Sequence, residues 1–287
     1  MVNNMIEEIK KICGNSSDLI TRILKIDNIK IDILYCETLS SSTTISNFIL
    51  KPLEFLDKKN ISFDDVINNI SSPSYTTVGN ISDTPIYVFN GFTILVIDNK
   101  KIIAIVTKEV LDRGISEVES EVATVGPKDA FLENYNKNIG LIRKRIKSKN
   151  LYVNNIILGC ESNTKVAICY MNNLLKKELV DKVLSKLKNI KNDIIMDSGF
   201  IKEEIVKTNL FPEMTQTERP DLACFALLEG KICLIVENSK DVLVIPSFFI
   251  DFFHTPDDYY EKNINTSFIR ILRFISFLLQ FFFLDTT

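Results

Sequence analysis

The sequence predicts an α/β (α+β) protein made of two related mixed-sheet subdomains with flanking helices, followed by the start of a transmembrane segment. Three observations carry this. The length of 287 residues suggests two domains, on a soft prior of ~150 residues each. Two apolar hairpins recur: placing Gly230 on Gly91 aligns Leu95 with Leu234, Asp98 with Glu237, Asn99 with Asn238 and Lys101 with Lys240. ILYCE (33–37) and ILGCE (157–161) echo each other as well, and internal similarity of this kind points to repeated units. Finally, residues 274–284, FISFLLQFFFL, hold no charge. The expected division is 1–148 and 149–250 for the two subdomains, 251–270 for a juxtamembrane connector and 271–287 for a truncated hydrophobic segment.

In chain order, residues 4–13 predict a short helix, and Asn15, Ser16, Ser17 and Asp18 offer caps for a second helix over 18–26. IKIDILYC (29–36) alternates as a strand does. A loop over 37–44 leads to a helix near 45–57, kinked or restarted by Pro52. Residues 63–70 are helical by period, and 71–85, with Pro73, Gly79 and Pro85, form a long loop. Strands over 86–97 and 102–107 flank a turn at Asp98–Lys101. Residues 108–125 are charged and linker-like. In the second half, strands are expected at 154–162, 164–171 and 193–196, and helices at 173–190 and 199–208. Strands at 222–228, 231–237 and 241–246 follow. The lysines of the 173–190 helix suit a solvated face, with an acidic partner as the alternative.

Residues 126–147, GPKDAFLENYNKNIGLIRKRIK, read as one helix that closes the first subdomain. Pro127 suits a first helical position. Asp129 at one end and Arg143, Lys144, Arg145 and Lys147 at the other complement the macrodipole. Phe131, Tyr135, Ile139, Ile142 and Ile146 recur every three or four residues, and Glu133 stands four before Lys137 on the far face. Asn138 and Arg145 lie on the margin of that stripe, with Asn134 just beyond. A polar group at a buried edge needs a partner, or it costs about 1–3 kcal/mol. Satisfied packing contacts and a binding or inter-subunit role are both open for this edge. Before the last hairpin stands TERPD (217–221), where Glu218 and Arg219 enter a buried segment as a local ion pair or as site residues.

Composition limits the chemistry. The chain is 46% hydrophobic and 25% charged, which is globular rather than disordered. A net charge of −3 gives no basic footprint for nucleic acid. His254 is the single histidine, so zinc sites that need two or three imidazoles are excluded. The six cysteines form no CxxC pair and several sit in apolar runs, as in a reducing, cytoplasm-facing compartment. The amphipathic N-terminus is no secretory signal. No phosphate loop, GxGxxG, GxSxG or HExxH is present. Glu117, Glu119 and Glu121 lie in the polar linker, where solvation is expected. No cofactor, metal site or catalytic set follows.

The 126–147 segment resembles the most recognisable stretch of the A subunits of spore germinant receptors, the GerA family, whose members read close to RGPxExFxExLxxNxxLIRxRI. Gly126, Pro127, Phe131, Glu133, Asn138, Leu141, Ile142, Arg143, Arg145 and Ile146 stand at matching positions. Val125 stands where an arginine is usual and Asp129 where a glutamate is usual. ERPD (218–221), the strand pair in EGKICLIVENSKDVLVIP, and DDYYEKNINTSFIRILRFISF are also similar to the family, over about residues 15–278. The resemblance implies a non-enzymatic receptor subunit at the inner spore membrane with a cytoplasmic N-terminal domain. It implies B and C subunits as partners, a homo-oligomer through A subunits, and a role in assembly and signal coupling. Candidate binding or assembly residues are Glu133, Asn134, Asn138, Arg143, Arg145, Glu218, Arg219 and Asp221. Family members continue into a multi-helix membrane domain. Here the uncharged run is eleven residues and the chain then stops at DTT, where spanning needs ~20, so a truncated frame or fragment is expected. Arg270 and Arg273 before that run would keep the preceding domain cytoplasmic, with Tyr259 and Tyr260 near the membrane interface. The alternative is a small-molecule-binding α/β module using the cleft between the two units, without a membrane role.

Overall fold

The structure is a computed structural model that describes residues 4–56, 61–72, 74–111, 121, 126–206, 214–253, 255–260 and 263–284. Pro73, Glu117, Glu119, Val125 and His254 lie outside the described residues.

α1 (Met5–Ile12) leads into a hairpin of β1 (Leu19–Ile26) and β2 (Ile29–Cys36). The helix expected over 18–26 is therefore a strand. Its apolar spacing suits either form, but Asp27 takes a positive φ of 48° and turns the chain back. β1 then pairs along its whole length, from Leu19 opposite Cys36 to Ile26 opposite Ile29. Pairing outweighs local propensity here. A helical stretch follows: α2 (Ser42–Ile45), a π turn over Ser46–Leu50, and α3 (Lys51–Glu54). Pro52 has no N–H for the Phe48 carbonyl, and that carbonyl accepts instead from Ser71 N (3.1 Å). α4 (Phe63–Asn69) starts with a Ser62/Asp65 capping box. Then come β3 (Tyr75–Thr77), a 3-10 turn at Ile81–Asp83, α5 (Thr84–Val88), β4 (Phe92–Ile97) and β5 (Lys101–Val106). The strand expected from 86 begins only at Phe92, because Pro85 starts a helix and Gly91, at φ 80°, ends it.

The second half repeats this order. α6 (Tyr135–Arg145) precedes the hairpin of β6 (Leu151–Leu158) and β7 (Thr164–Met171). α7 (Lys177–Lys188), α8 (Ser198–Val206), β8 (Thr215–Thr217), α9 (Pro220–Leu228), β9 (Ile232–Val236) and β10 (Val242–Ile245) complete it. The strand expected at 222–228 is α9: Pro220 opens it, Asp221 faces its dipole, and Gly230 at φ 81° follows it. Residues 193–196 form no strand, although Ile195 is tied to Thr164 and Ser162. Two 3-10 turns, Phe249–Phe253 and Pro256–Tyr259, lead to α10 (Asn263–Leu284). Among the described residues no helix is long and apolar enough to cross a membrane.

The two sheets have the same strand order, β1-β2-β4-β5-β3 and β6-β7-β9-β10-β8. All their pairings are antiparallel, so the two α+β units form as expected while the sheets themselves are not mixed. The register repeats too. Leu95 lies between Ile33 and Ile103, and Leu234 between Ile168 and Leu243. That supports the Gly91/Gly230 alignment as far as Leu95 and Leu234; beyond the turn Ile103 answers to Leu243, a shift of one residue that parts Lys101 from Lys240. The ILYCE/ILGCE echo fails, because the first ends β2 and the second ends β6.

Each sheet is covered by helices on both faces. α1 and α5 bury Ile9, Val88 and Phe89 against Leu34, Ile94 and Val96; Ile49, Leu53 and Val66 cover Ile33, Leu95 and Ile103 opposite. In the second unit α6 and α9 cover Ala167, Cys169 and Ile235, while α7 and α8 cover Val166, Ile168 and Leu234. By packing, α6 therefore belongs to the second sheet rather than closing the first. A division after residue 148 would part it from the sheet it covers.

Candidate functional site

The segment 126–147 is not one helix. Residues 126–134 form a loop, and α6 begins at Tyr135 with Asn134 as its N-cap, the side-chain oxygen accepting from Lys137 N (2.9 Å). Phe131 still reaches the core predicted for it. Asn138, fully buried, explains how: its Oδ1 accepts from Leu132 N (2.8 Å) and its Nδ2 donates to the Leu132 carbonyl and to Ser239 O (3.5 Å). One side-chain amide thus replaces the helical bonds that the loop lacks. Arg145 fixes the same loop from the other side, donating to both Asp129 oxygens (2.7 and 2.5 Å) and to Leu141 O.

Arg143 points the opposite way, into the first unit. It is 0% exposed, and its Nε and Nη2 donate to the two oxygens of Asp18 (2.8 and 2.9 Å). Nη2 also donates to Ser16 Oγ (3.0 Å) and Nη1 to Ser148 O (3.3 Å), and the guanidinium lies 4.7 Å from the Phe89 ring centre. Burial alone would raise the Asp18 pKa, but the guanidinium outweighs it and holds the carboxyl below its ordinary value. Ser16 Oγ accepts in turn from Val153 N (2.9 Å) on β6. Gly140 allows the close approach: a Cβ there would stand 2.6 Å from the Thr38 carbonyl of the first unit.

A second cluster surrounds Arg219, 1% exposed, at the turn between β8 and α9. Its ion-pair partner is Asp221, at 3.1 Å from Nε and 2.7 Å from Nη2, and not Glu218. The remaining donors reach backbone carbonyls on either side of residues 122–125: Glu121 O (3.2 Å) and Pro127 O (3.1 Å). Glu218 is buried against Glu121. Its Oε1 accepts from Glu121 N (3.2 Å), Glu121 Oε2 accepts from Glu218 N (3.1 Å) and Thr217 Oγ1 (2.5 Å), and Lys240 Nζ stands 3.7 Å from Glu218. Burial pushes the Glu121 pKa up, and the Glu218 charge adds to it.

Asp221 carries the cluster outward. It accepts from Tyr260 Oη (2.5 Å), whose pKa burial and this bond push up to about 12. Tyr259 stacks on Phe225 at 4.6 Å, so both tyrosines dock on α9 rather than facing outward. Gly126, at φ 104°, lies under the Tyr260 ring, where a Cβ would stand 2.7 Å away. Asp258 accepts from Arg273 (2.8 Å) and Arg270 (3.2 Å) on α10. Burial raises the Asp258 pKa, but the Arg273 bond and its companions outweigh it, and the carboxyl lies below its ordinary value. The chain of contacts therefore runs from the flanks of 122–125 through Arg219, Asp221 and Tyr260 to the turn that holds α10.

Of the eight sequence candidates, Asn138, Arg143, Glu218, Arg219 and Asp221 are buried and bonded within the chain, and Arg145 is nearly so. Only Glu133 and Asn134 have exposed side chains. Asp18, Ser16, Glu121, Tyr260 and Asp258 were missed. Each is distant in sequence from its partner, and no local pattern marks it. Strand register shows why the Arg219 cluster is distinctive. Thr77 pairs with Ile103 as Gln216 pairs with Leu243, so Glu218-Arg219-Pro220-Asp221 occupies the place that Gly79-Asn80-Ile81-Ser82 fills in the first unit. In the first unit that place is held by Asn80, whose side-chain oxygen accepts from Ser82 N (3.0 Å), in place of an ion pair.

The profile of the Bacillus/Clostridium GerA spore germination protein family matches residues 7–286. Spore germination protein B1 of Bacillus subtilis (strain 168) is 29% identical over 288 residues, covering 98% of this chain and 60% of that protein. Spore germination protein KA of the same organism is 32% identical over 289 residues, covering 96% and 52%. The chain thus spans a little over half the length of these relatives. The crystal structure of the N-terminal domain of the A subunit of the Bacillus megaterium spore germinant receptor GerK3 superposes with a TM-score of 0.65 at 23% identity, covering 87% of this chain and 96% of that one. This last likeness concerns the fold.

Proposed function

The chain belongs to the GerA family of spore germination proteins, and from that premise we propose that it forms the N-terminal region of a germinant-receptor A subunit. In this reading it lies on the cytoplasmic side of the inner spore membrane, assembles with B and C subunits and with other A subunits, and couples a nutrient signal to the membrane part of the receptor without catalysing a reaction. The unit boundary we propose falls between the two sheets, with α6 opening the second unit. The connector over 251–270 and the segment 271–287 lead toward the membrane.

One observation carries the coupling role. Arg219, with Asp221 and Tyr260, joins the segment between the units to the turn that holds α10. A change in how the units meet is felt at both flanks of 122–125, and the same guanidinium passes it toward the membrane. Buried charge pairs are weak stabilisers against apolar replacements but hold a specific geometry, which suits a coupling element. Exposed Glu133 and Asn134 remain the assembly candidates. The test compares spores whose receptor carries the native chain or Tyr260→Phe, with the subunit quantified in each. Nutrient-triggered ion release is expected to slow at unchanged subunit level. Unchanged release in both Tyr260→Phe and Asp221→Asn would sink the coupling role.

A second reading, a small-molecule-binding module, is favoured by one feature. A cavity of about 270 Å³ lies between the units, lined by Glu37, Ser40, Glu109, Asn134, Asn136 and Lys137 among others. The buried Ser40 hydroxyl has no partner among the described residues. Ligand-dependent thermal stabilisation of the chain, with no membrane present, distinguishes this reading.

A further inference from the structure

We propose that the 3-10 turn Phe249–Phe253, with Phe248 before it, enters the headgroup–acyl boundary of a lipid bilayer as an apolar wedge beside α10. This rests on the reading that α10 leads toward the membrane, and it adds a lipid contact made by the connector itself. Phe248, Phe249, Ile250 and Phe252 are 58, 43, 52 and 49% exposed. Four large apolar side chains held together in water are unfavourable, and a contiguous patch of this kind marks a contact surface.

What the turn rests on identifies the occupant. The Phe249 and Phe253 rings set their edges against Phe277 (5.8 and 5.4 Å between centres), and Phe253 does the same with Phe274 (5.5 Å). Phe274 and Phe277 open the stretch of α10 that carries no charge, residues 274–284. The turn is therefore held level with the start of that stretch and shares whatever depth it takes. Arg270 and Arg273 are the only charged residues of α10. Both are bound by Asp258 (3.2 and 2.8 Å), on the connector after the wedge. The wedge itself carries no bare charge: Asp251 accepts from Lys231 Nζ (3.0 Å) and from Phe248 N (2.9 Å). Ile271, Leu272, Ile275 and Leu279, 44–57% exposed, continue the apolar surface along α10. Apolar side chains on one face with the charges held to the other side suit a segment lying in the interface plane. Such a contact needs no spanning helix.

The chain has no tryptophan, so Ile250→Trp places a single fluorescent reporter on the wedge. Phe55→Trp, at a site 82% exposed on the first unit, is the control. Each whole chain is mixed with phosphatidylcholine–phosphatidylglycerol vesicles, with and without bromine on the upper acyl carbons. The Ile250→Trp emission is expected to shift to the blue, to be quenched by the brominated lipid and to be shielded from aqueous iodide. The Phe55→Trp emission should stay open to iodide and unquenched by lipid. Phe248→Ser with Phe252→Ser should weaken vesicle partitioning about tenfold, with the melting temperature without vesicles unchanged. A chain that floats with vesicles while Ile250→Trp stays as open to iodide as Phe55→Trp overturns the proposal and leaves the receptor reading standing, with α10 as the sole anchor. A blue shift that needs no vesicles and grows with protein concentration also overturns it, because a second copy then covers the turn. Absence of flotation removes the wedge and the membrane reading together.

Discussion

Replacing Arg143 with alanine removes the guanidinium that joins the two units and leaves the Asp18 carboxylate 2% exposed without its two bonds of 2.8 and 2.9 Å. The Cys36 thiol at 3.4 Å is a weak donor and cannot replace them. Removing one partner of a buried ion pair costs about 3–5 kcal/mol, a large share of the ~5–15 kcal/mol that holds a domain folded. With a urea dependence of about 2 kcal/mol per molar, the midpoint should fall by roughly 2 M. The sign of the pH effect gives a sharper check. In the native chain the Asp18 pKa lies below its unfolded value despite burial. Its contribution is therefore complete above about pH 4 and is lost as the pH falls through the folded pKa. In the variant burial is opposed only by the Ser16 and Cys36 hydrogen bonds and raises that pKa, so the neutral carboxyl is favoured and stability is regained as the pH falls toward 4. The gap between native and variant should be widest near neutrality and narrow in acid. Asp18→Asn added to Arg143→Ala should restore part of the loss. A gap below about 1 kcal/mol at pH 7, a gap constant in pH, or strict additivity of the two substitutions would refute the reasoning.

Two further substitutions test the packing of α6. Gly140→Ala should raise helix propensity by about 1 kcal/mol, yet its Cβ would stand 2.6 Å from the Thr38 carbonyl. Overpacking of about 1–3 kcal/mol against rigid backbone wins, so a lowered melting temperature is expected and a raised one would show that the units can part. Asn134→Ala removes the cap bond to Lys137 N and should cost about 1 kcal/mol by denaturant titration, while Asn134→Ser should retain most of it.

Much of the architecture was legible because local signals and pairing agreed. The turns at Asp98-Asn99 and Asn238 take the left-handed conformations that their residues favour, and the Gly91/Gly230 alignment located two equivalent strand pairs. The errors have physical causes. LITRILKI (19–26) has a spacing that suits a helix, and only its partner β2 makes it a strand. LACFALL (222–228) is apolar all round, so periodicity could not separate buried helix from buried strand; Pro220 before it and Gly230 after it were the signals to weigh. The helix expected from residue 126 starts nine residues later, at Tyr135, because Phe131 falls on the helical period without being helical. The Asn138 bonds to Leu132 and the bond from Phe131 N to Glu218 O (2.7 Å) hold Phe131 in the core from a loop. The candidate site was legible in half: Arg143 and Arg219 stood out, whereas Asp18 and Tyr260 are 125 and 41 residues from them, beyond any local pattern.

The contacts between α10 and the second unit have a mechanical consequence. Tension applied along α10 reaches Asp258 through Arg270 and Arg273, then Asp221 through Tyr260, and is shared by Arg219 with both flanks of 122–125. No strand lies on that path. A pull on α10 would thus load a joint of side chains. Parting of this joint would leave both ladders paired, as a released clutch leaves shaft and housing whole.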